Sequence, residues 1–227
     1  RITQAGGDDA AAPLRVGLSD GGDLEAKLVV MAVGVRSNTG YLVGSGIDVK
    51  SGVRVGSHLQ TSVPDVYAAG DVAEARDLST GDYDVLAIQP TAVEHGRLAA
   101  LNMAGHETRH HGCLNMNVLD TMGLISSSFG LWDGARGANA ASGSMVDEAR
   151  YRYLRLEFDG ERMVGAQSVG MTDHVGMLRG LIQTGAPLGG WRDKLIKAPE
   201  RVREAYIACA QGMSHHGPMA PKVALPA

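Results

Sequence analysis

The residue types that come closest to a ligand chemistry are Gly70-Asp71, near the end of the string Thr61-Ser-Val-Pro-Asp-Val-Tyr-Ala-Ala-Gly-Asp-Val-Ala-Glu74. Val66 to Ala69 has the composition of a short strand. Ala68, Ala69 and Gly70 carry small side chains or none, so a ligand can approach the backbone, and glycine also accepts positive φ. Asp71 follows at the carboxyl end of that strand, where open α/β sheets hold their ligands. Its carboxylate can accept hydrogen bonds from a chain of hydroxyls. Val72 then opens a polar loop expected to run to Tyr83 beside the ligand. A second candidate is the segment Pro90-Thr91-Ala92. Proline suits the first turn of a helix. Ala92, Val93, Leu98 and Leu101 recur near helical spacing, and Gly105 is a stop signal. The N–H groups at such a helix start can stabilise negative charge.

The remaining reactive residue types carry less. His106, His110, His111 and Cys113 form H-x3-H-H-x-C. That spacing matches no zinc pattern and lacks a second ligand pair. It reads as a solvated, histidine-rich linker over 105–112, and no metal is expected. Cys113 and Cys209 lie far apart and form no CxxC pair. Cys209 sits between Ala208 and Ala210 as helix packing, and neither thiol has the surroundings of a redox cysteine. The expected setting is reducing and cytoplasmic. No catalytic residue is assigned. Met116, Met122, Met145, Met163, Met171 and Met177 read as core or interface filler, with Trp132 and Trp191 half buried or anchoring an interface.

Several elements must position these groups. Arg1 to Gln4, Leu14 to Leu18 and Gly21 to Ala26 read as strand, strand and turn. Ala26 to Val35 (A-K-L-V-V-M-A-V-G-V) has the continuous apolar run of a buried parallel strand. Val53 to Val55 and Leu59 to Thr61 read as short strands. Beyond Cys113, Asn115 to Ile125 supplies a strand and turn. Tyr151 to Phe158 alternates, Asp159-Gly160 is a hairpin turn, and Met163 to Val169 returns as the partner. Helices are predicted over 173–184 and 198–210, and a mobile tail over 212–227. The chain has 227 residues, 44% hydrophobic and 20% charged, with net charge −4. Those values suit a soluble globular protein of one or two domains and argue against a nucleic-acid or anionic-membrane partner. No apolar run approaches the roughly 20 residues of a membrane span.

The string T-S-V-P-D-V-Y-A-A-G-D-V-A-E resembles the second FAD-binding motif of the pyridine nucleotide–disulfide oxidoreductase superfamily. Ala32, Gly34 and Asn38 fit that family's A-x-G-x-x-x-N segment, with Ser37 where many relatives carry proline. The resemblance implies FAD as cofactor and NAD(P)H as co-substrate, with hydride passing to the flavin and electrons on to a redox protein, oxygen or a small molecule. It implies that Asp71 holds the ribityl chain, with Gly70 and Val72 beside it. The backbone of Pro90, Thr91 and Ala92 would face the flavin N1–O2 edge. The implied fold is α/β to α+β. It comprises an NAD(P)-domain remnant at 1–35, a returning FAD-domain segment at 36–112, both Rossmann-like, and an α+β interface domain at 113–210 that forms a homodimer, then a tail at 211–227. Glu94-His95-Gly96-Arg97 is most similar to the rubredoxin reductase, NADH oxidase and nitrite reductase branch. The His-Pro-Thr motif of glutathione-reductase-like enzymes is absent from this sequence, which argues against their mechanism. No G-x-G-x-x-G turn occurs and residue 1 is Arg. The expectation is therefore the C-terminal half of an enzyme about twice as long. The alternatives are a non-catalytic interface module, or one subunit of a split flavoenzyme.

Overall fold

The structure is a computed structural model that describes residues 1–4 and 13–215. The chain packs as two units, Arg1–Arg36 and the residues from Ser37 onward.

In the first unit, β1 (Ile2–Gln4), β2 (Leu14–Gly17) and β3 (Asp23–Ala26) form an antiparallel sheet in that order. Leu18 and Gly22 close the β2–β3 turn through a 2.7 Å backbone hydrogen bond. The strand expected over Ala26–Val35 does not form beyond Ala26, where β3 ends. Val30, Val33 and Val35 are 78%, 85% and 77% exposed. Apolar, β-branched composition supplies propensity, but a strand needs a neighbour to take up its ladder bonds. Among the described residues, the three strands of this unit pair only with one another.

The second unit begins with a small sheet. β4 (Val53–Arg54) pairs in parallel with β5 (Ala73–Arg76), and β5 pairs antiparallel with β6 (Tyr83–Asp84). Helix α1 (Gln89–Met103) closes its core, which contains Val53, Val55, Leu59, Ala73, Ala75, Leu98, Ala99 and Cys113. Strands this short offer few ladder bonds, so side chains tie them together. Glu74 on β5 is 3% exposed. Its carboxylate accepts from the Ser51 N–H at 2.9 Å, the Gly52 N–H at 3.2 Å and Arg54 Nη1 at 3.0 Å. The Arg54 guanidinium in turn lies 3.5 Å over the ring of Tyr83 on β6. One ion pair and one cation–π contact thus cross all three strands. Gly52 is required: a Cβ there would stand 2.7 Å from the Val72 carbonyl oxygen and from Val85 Cγ2.

Three sequence expectations are corrected in this region. Val66–Ala69 and Leu59–Thr61 are not strands; they meet in one isolated bridge, Gln60 to Tyr67. Left-handed backbone at Leu59 (φ 60°) and Asp65 (φ 64°) interrupts both extended runs. The strand instead follows Gly70-Asp71, after a short 3-10 turn at Gly70–Val72. The polar loop expected from Val72 is therefore confined to residues 77–82, because Ala73, Glu74 and Ala75 are buried. The A-E-A-R sequence concealed this strand, since its one inward charge is neutralised by partners brought from elsewhere.

The remainder is a five-stranded antiparallel sheet, β7 (Met116–Thr121), β8 (Leu124–Gly130), β9 (Ala140–Asp147), β10 (Arg152–Asp159) and β11 (Arg162–Val169), in the order β7-β8-β11-β10-β9. The β10–β11 turn includes Gly160 at φ 56°, as Asp159-Gly160 predicts. Helix α2 (Val175–Thr184) packs on β8 and β11, and α3 (Trp191–Lys197) on β9. Helix α4 (Val202–His215) completes the core around Phe129, Leu156, Phe158, Met163, Leu181, Leu195 and Val202. β9 and α3 are absent from the sequence reading: A-A-S-G-S-M-V-D lacks the branched apolar alternation of a strand, and α3 is only two turns. α4 runs on through residues 212–215, which were expected to belong to a mobile tail; residues 216–227 lie outside the described residues. Met122, expected as filler, is fully exposed at the β7–β8 turn with φ 55°.

Phe129 is completely buried and Met122 completely exposed. Phe129→Ala is expected to cost about 3–5 kcal/mol of unfolding free energy and Met122→Ala under about 0.5 kcal/mol. Urea titration followed by circular dichroism measures both.

Candidate functional site

Gly70 has φ 75°, a left-handed conformation natural to glycine. A Cβ at Gly70 would lie 3.4 Å from the Cβ of Ala92, so the Gly70–Val72 turn packs against the first turn of α1. Asp71 is exposed, and its carbonyl oxygen accepts a 2.7 Å hydrogen bond from Ser37 Oγ. Its carboxylate has no side-chain partner among the described residues.

Opposite it, α1 begins at Gln89 after Ile88, an extended N-cap residue that makes no side-chain cap. Pro90 occupies the first turn as predicted and is exposed. The Ala92 N–H is already used, donating to the Ile88 carbonyl at 3.1 Å. Proline has no N–H, so the donors at this helix start without a backbone acceptor among the described residues are Gln89 and Thr91. Of the predicted trio, Thr91 thus offers a backbone donor, Pro90 shape, and Ala92 the side chain that meets Gly70. Gln89 was not foreseen. The arrangement is a turn bearing an exposed carboxylate, packed against an uncapped positive helix end, suited to a ligand carrying both hydroxyls and a negatively charged edge.

Behind this surface lies a group the sequence reading missed. His95, one turn below Thr91 on α1, is 1% exposed. Its Nδ1 accepts from the Gly70 N–H at 3.4 Å, and its Nε2 is 3.1 Å from Cys113 Sγ. Cys113 Sγ lies 3.5 Å from His110 Nε2, and the two imidazoles meet edge to face at 4.7 Å. The linker is therefore not simply solvated: His106 and His111 are exposed, but His110 is buried, and its N–H donates to the Ser57 carbonyl at 2.7 Å. Donor atoms of His95, His110 and Cys113 all lie within 4.8 Å of one another, as metal ligands do. The signal was available in helix-face arithmetic. Thr91, His95, Leu98 and Ala99 share the buried stripe of α1, whereas Val93, read as apolar-facing, is 64% exposed.

Burial, reinforced by neighbouring His110, lowers the His95 pKa to about 4. Burial also lowers that of His110, against the pull of Glu94. Burial pushes the Cys113 thiol up to about 11, despite a hydrogen bond with Thr91 that works the other way. All three groups are neutral near pH 7.

Against known proteins, the family described as pyridine nucleotide-disulphide oxidoreductase matches residues 1–96. The nitrite reductase (NAD(P)H) of Bacillus subtilis (strain 168) is 32% identical over 183 residues, which are 80% of this chain and 22% of that protein. The chain belongs to the pyridine nucleotide-disulphide oxidoreductase family. Its mixed α/β fold is that of solved family members. The NAD-dependent persulfide reductase from A. fulgidus superposes with a TM-score of 0.73 at 20% identity, over 95% of this chain and 44% of that one. An FAD-dependent pyridine nucleotide-disulphide oxidoreductase from Desulfovibrio vulgaris gives 0.69 at 18% identity, over 94% of this chain and 55% of that one. The chain thus spans about a fifth of the curated relative and about half of the solved family chains.

The buried histidine makes stability pH-dependent. Below pH 6.5 the unfolded chain takes up a proton at residue 95 that the folded chain refuses until about pH 4, so stability falls as pH drops through that window. The loss is expected to be on the order of 3 kcal/mol and to shrink in His95→Gln. Cys113 acts at the other end: its unfolded thiol ionises from about 9 and the folded one from about 11, so stability falls as pH rises between them. Urea midpoints from pH 4 to 11, for wild type and His95→Gln, check both limbs.

Proposed function

We propose that this chain is part of an FAD-dependent NAD(P)H oxidoreductase and that the surface formed by Gly70, Asp71, Val72 and the start of α1 takes the flavin. The observation that carries the reading is the packing of the turn that bears the exposed Asp71 against an uncapped helix N-terminus, at a positive-φ glycine. Asp71 accepts hydrogen bonds from the ribityl hydroxyls. Gly70, packed on Ala92, lets the cofactor approach the backbone. The Thr91 and Gln89 N–H groups, with the helix dipole, stabilise negative charge on the ring edge, and Pro90 fixes the entry of the helix. Bound FAD would supply the redox chemistry, accepting hydride from NAD(P)H and passing electrons to an acceptor. Family membership supports this assignment, as do the NAD(P)H- and FAD-dependent names of similar proteins. The acceptor is a redox protein or a small molecule. Residues 113–210 serve as the interface domain of a homodimer, and the protein works in the cytoplasm. Among the described residues no helix is long and apolar enough to cross a membrane.

The test is to mix the purified chain with FAD, remove what is unbound and record the visible spectrum. Retained, shifted flavin bands are expected. Asp71→Ala should weaken binding by at least about tenfold, the value of hydrogen bonds to a charged group. A colourless wild-type protein would overturn flavin binding by this chain and favour an interface module.

A further inference from the structure

His95, His110 and Cys113 present three donors of a metal centre, two imidazole nitrogens and one sulfur, at metal-centre spacing. The positions of the protons decide against that reading. A backbone N–H can only donate, so the His95 Nδ1 that faces the Gly70 N–H must be the nitrogen with the lone pair. The ring proton is then on Nε2, directed at Cys113 Sγ. A metal on Nε2 would force that proton to Nδ1, where it would meet the Gly70 N–H head on. Ligating histidines do the opposite and donate their second N–H to an acceptor.

The same logic completes a chain of hydrogen bonds. Gly70 N–H donates to His95 Nδ1 and His95 Nε2–H to Cys113 Sγ, and Cys113 Sγ stands 3.5 Å from His110 Nε2, so the thiol proton completes the chain when that nitrogen carries the lone pair. Every link pairs a donor with an acceptor, and every group is uncharged.

We propose that His95 is a positioning residue: braced from behind by Cys113 and His110, it holds the Gly70 N–H and so sets the turn that presents Asp71. Because His95 stands one turn below Thr91 on α1, this one side chain also fixes the helix start relative to that turn. The two halves of the candidate flavin surface are therefore registered through a buried imidazole. The consequence for flavin rests on the function proposed above; the hydrogen-bond chain does not.

The test compares wild type with His95→Gln and His95→Leu in the full chain. The glutamine amide can accept from Gly70 and donate to Cys113 but is a poor metal ligand; leucine keeps the bulk and does neither. Nitrogen-15 NMR of the unliganded wild type should show His95 bare at Nδ1 and protonated at Nε2. Gly70 amide hydrogen exchange should quicken by at least about tenfold in His95→Leu, the loss of one buried hydrogen bond, and stay near wild type in His95→Gln. FAD affinity should follow the same order. A proton on Nδ1, stoichiometric zinc bound in wild type and lost in His95→Gln, or Gly70 exchange indifferent to His95→Leu would each overturn the proposal. If wild type retains no FAD, the flavin assignment falls, while the tautomer and Gly70 exchange still decide the brace. If His95→Leu does not fold, the tautomer and the His95→Gln exchange rate decide it.

Discussion

A buried carboxylate is the constraint on which the small sheet behind the candidate site depends. Glu74 stands on a four-residue strand whose partners are each only two residues long, too short to define a sheet by ladder bonds alone. The carboxylate gathers two backbone donors from the loop before β4 and the Arg54 guanidinium, and Arg54 carries the connection on to Tyr83. Withdrawing a charge from water is costly unless its partners are all present. The requirement for every partner at once is what fixes β5, and β5 follows directly from Gly70-Asp71.

The strand β5 and the turn that leads into it are thus anchored by different chemistry. After the turn, an ionic cluster holds the strand. At the turn itself, an uncharged chain through His95, Cys113 and His110 reaches Gly70 from below. The contrast follows from burial. Arg54 keeps a third of its side chain in water, so that cluster can stay charged. His95 and Cys113 have almost no exposure, and there only neutral hydrogen bonds are inexpensive.

The local geometry of the candidate site was legible in the sequence, its supports much less so. Gly70 and Pro90 take their places through properties of the residue types themselves, a missing Cβ that admits positive φ and a missing N–H that suits a first helical turn, so their positions are local and legible. The hairpin at Asp159-Gly160 was readable for the same reason. Glu74, His95 and Cys113 depend on partners about 20 residues away, and nothing local distinguishes a paired buried charge or imidazole from a solvated one. Ala26–Val35 failed in the opposite direction: its composition is that of a buried strand, but strand formation is decided by neighbours. β9 escaped because Leu156, Phe158 and the other large side chains around it supply the packing that its own small residues do not advertise.

The strand order of the large sheet bears on how quickly it assembles. β7 with β8, and β9 with β10 and β11, are pairings between neighbours in sequence; only β8 with β11 joins distant segments. Two locally closing ribbons can therefore form first, each for a small loss of loop entropy. The barrier then lies in zipping β8 onto β11, the step that sets Phe129 opposite Ala166 and closes the centre of the sheet.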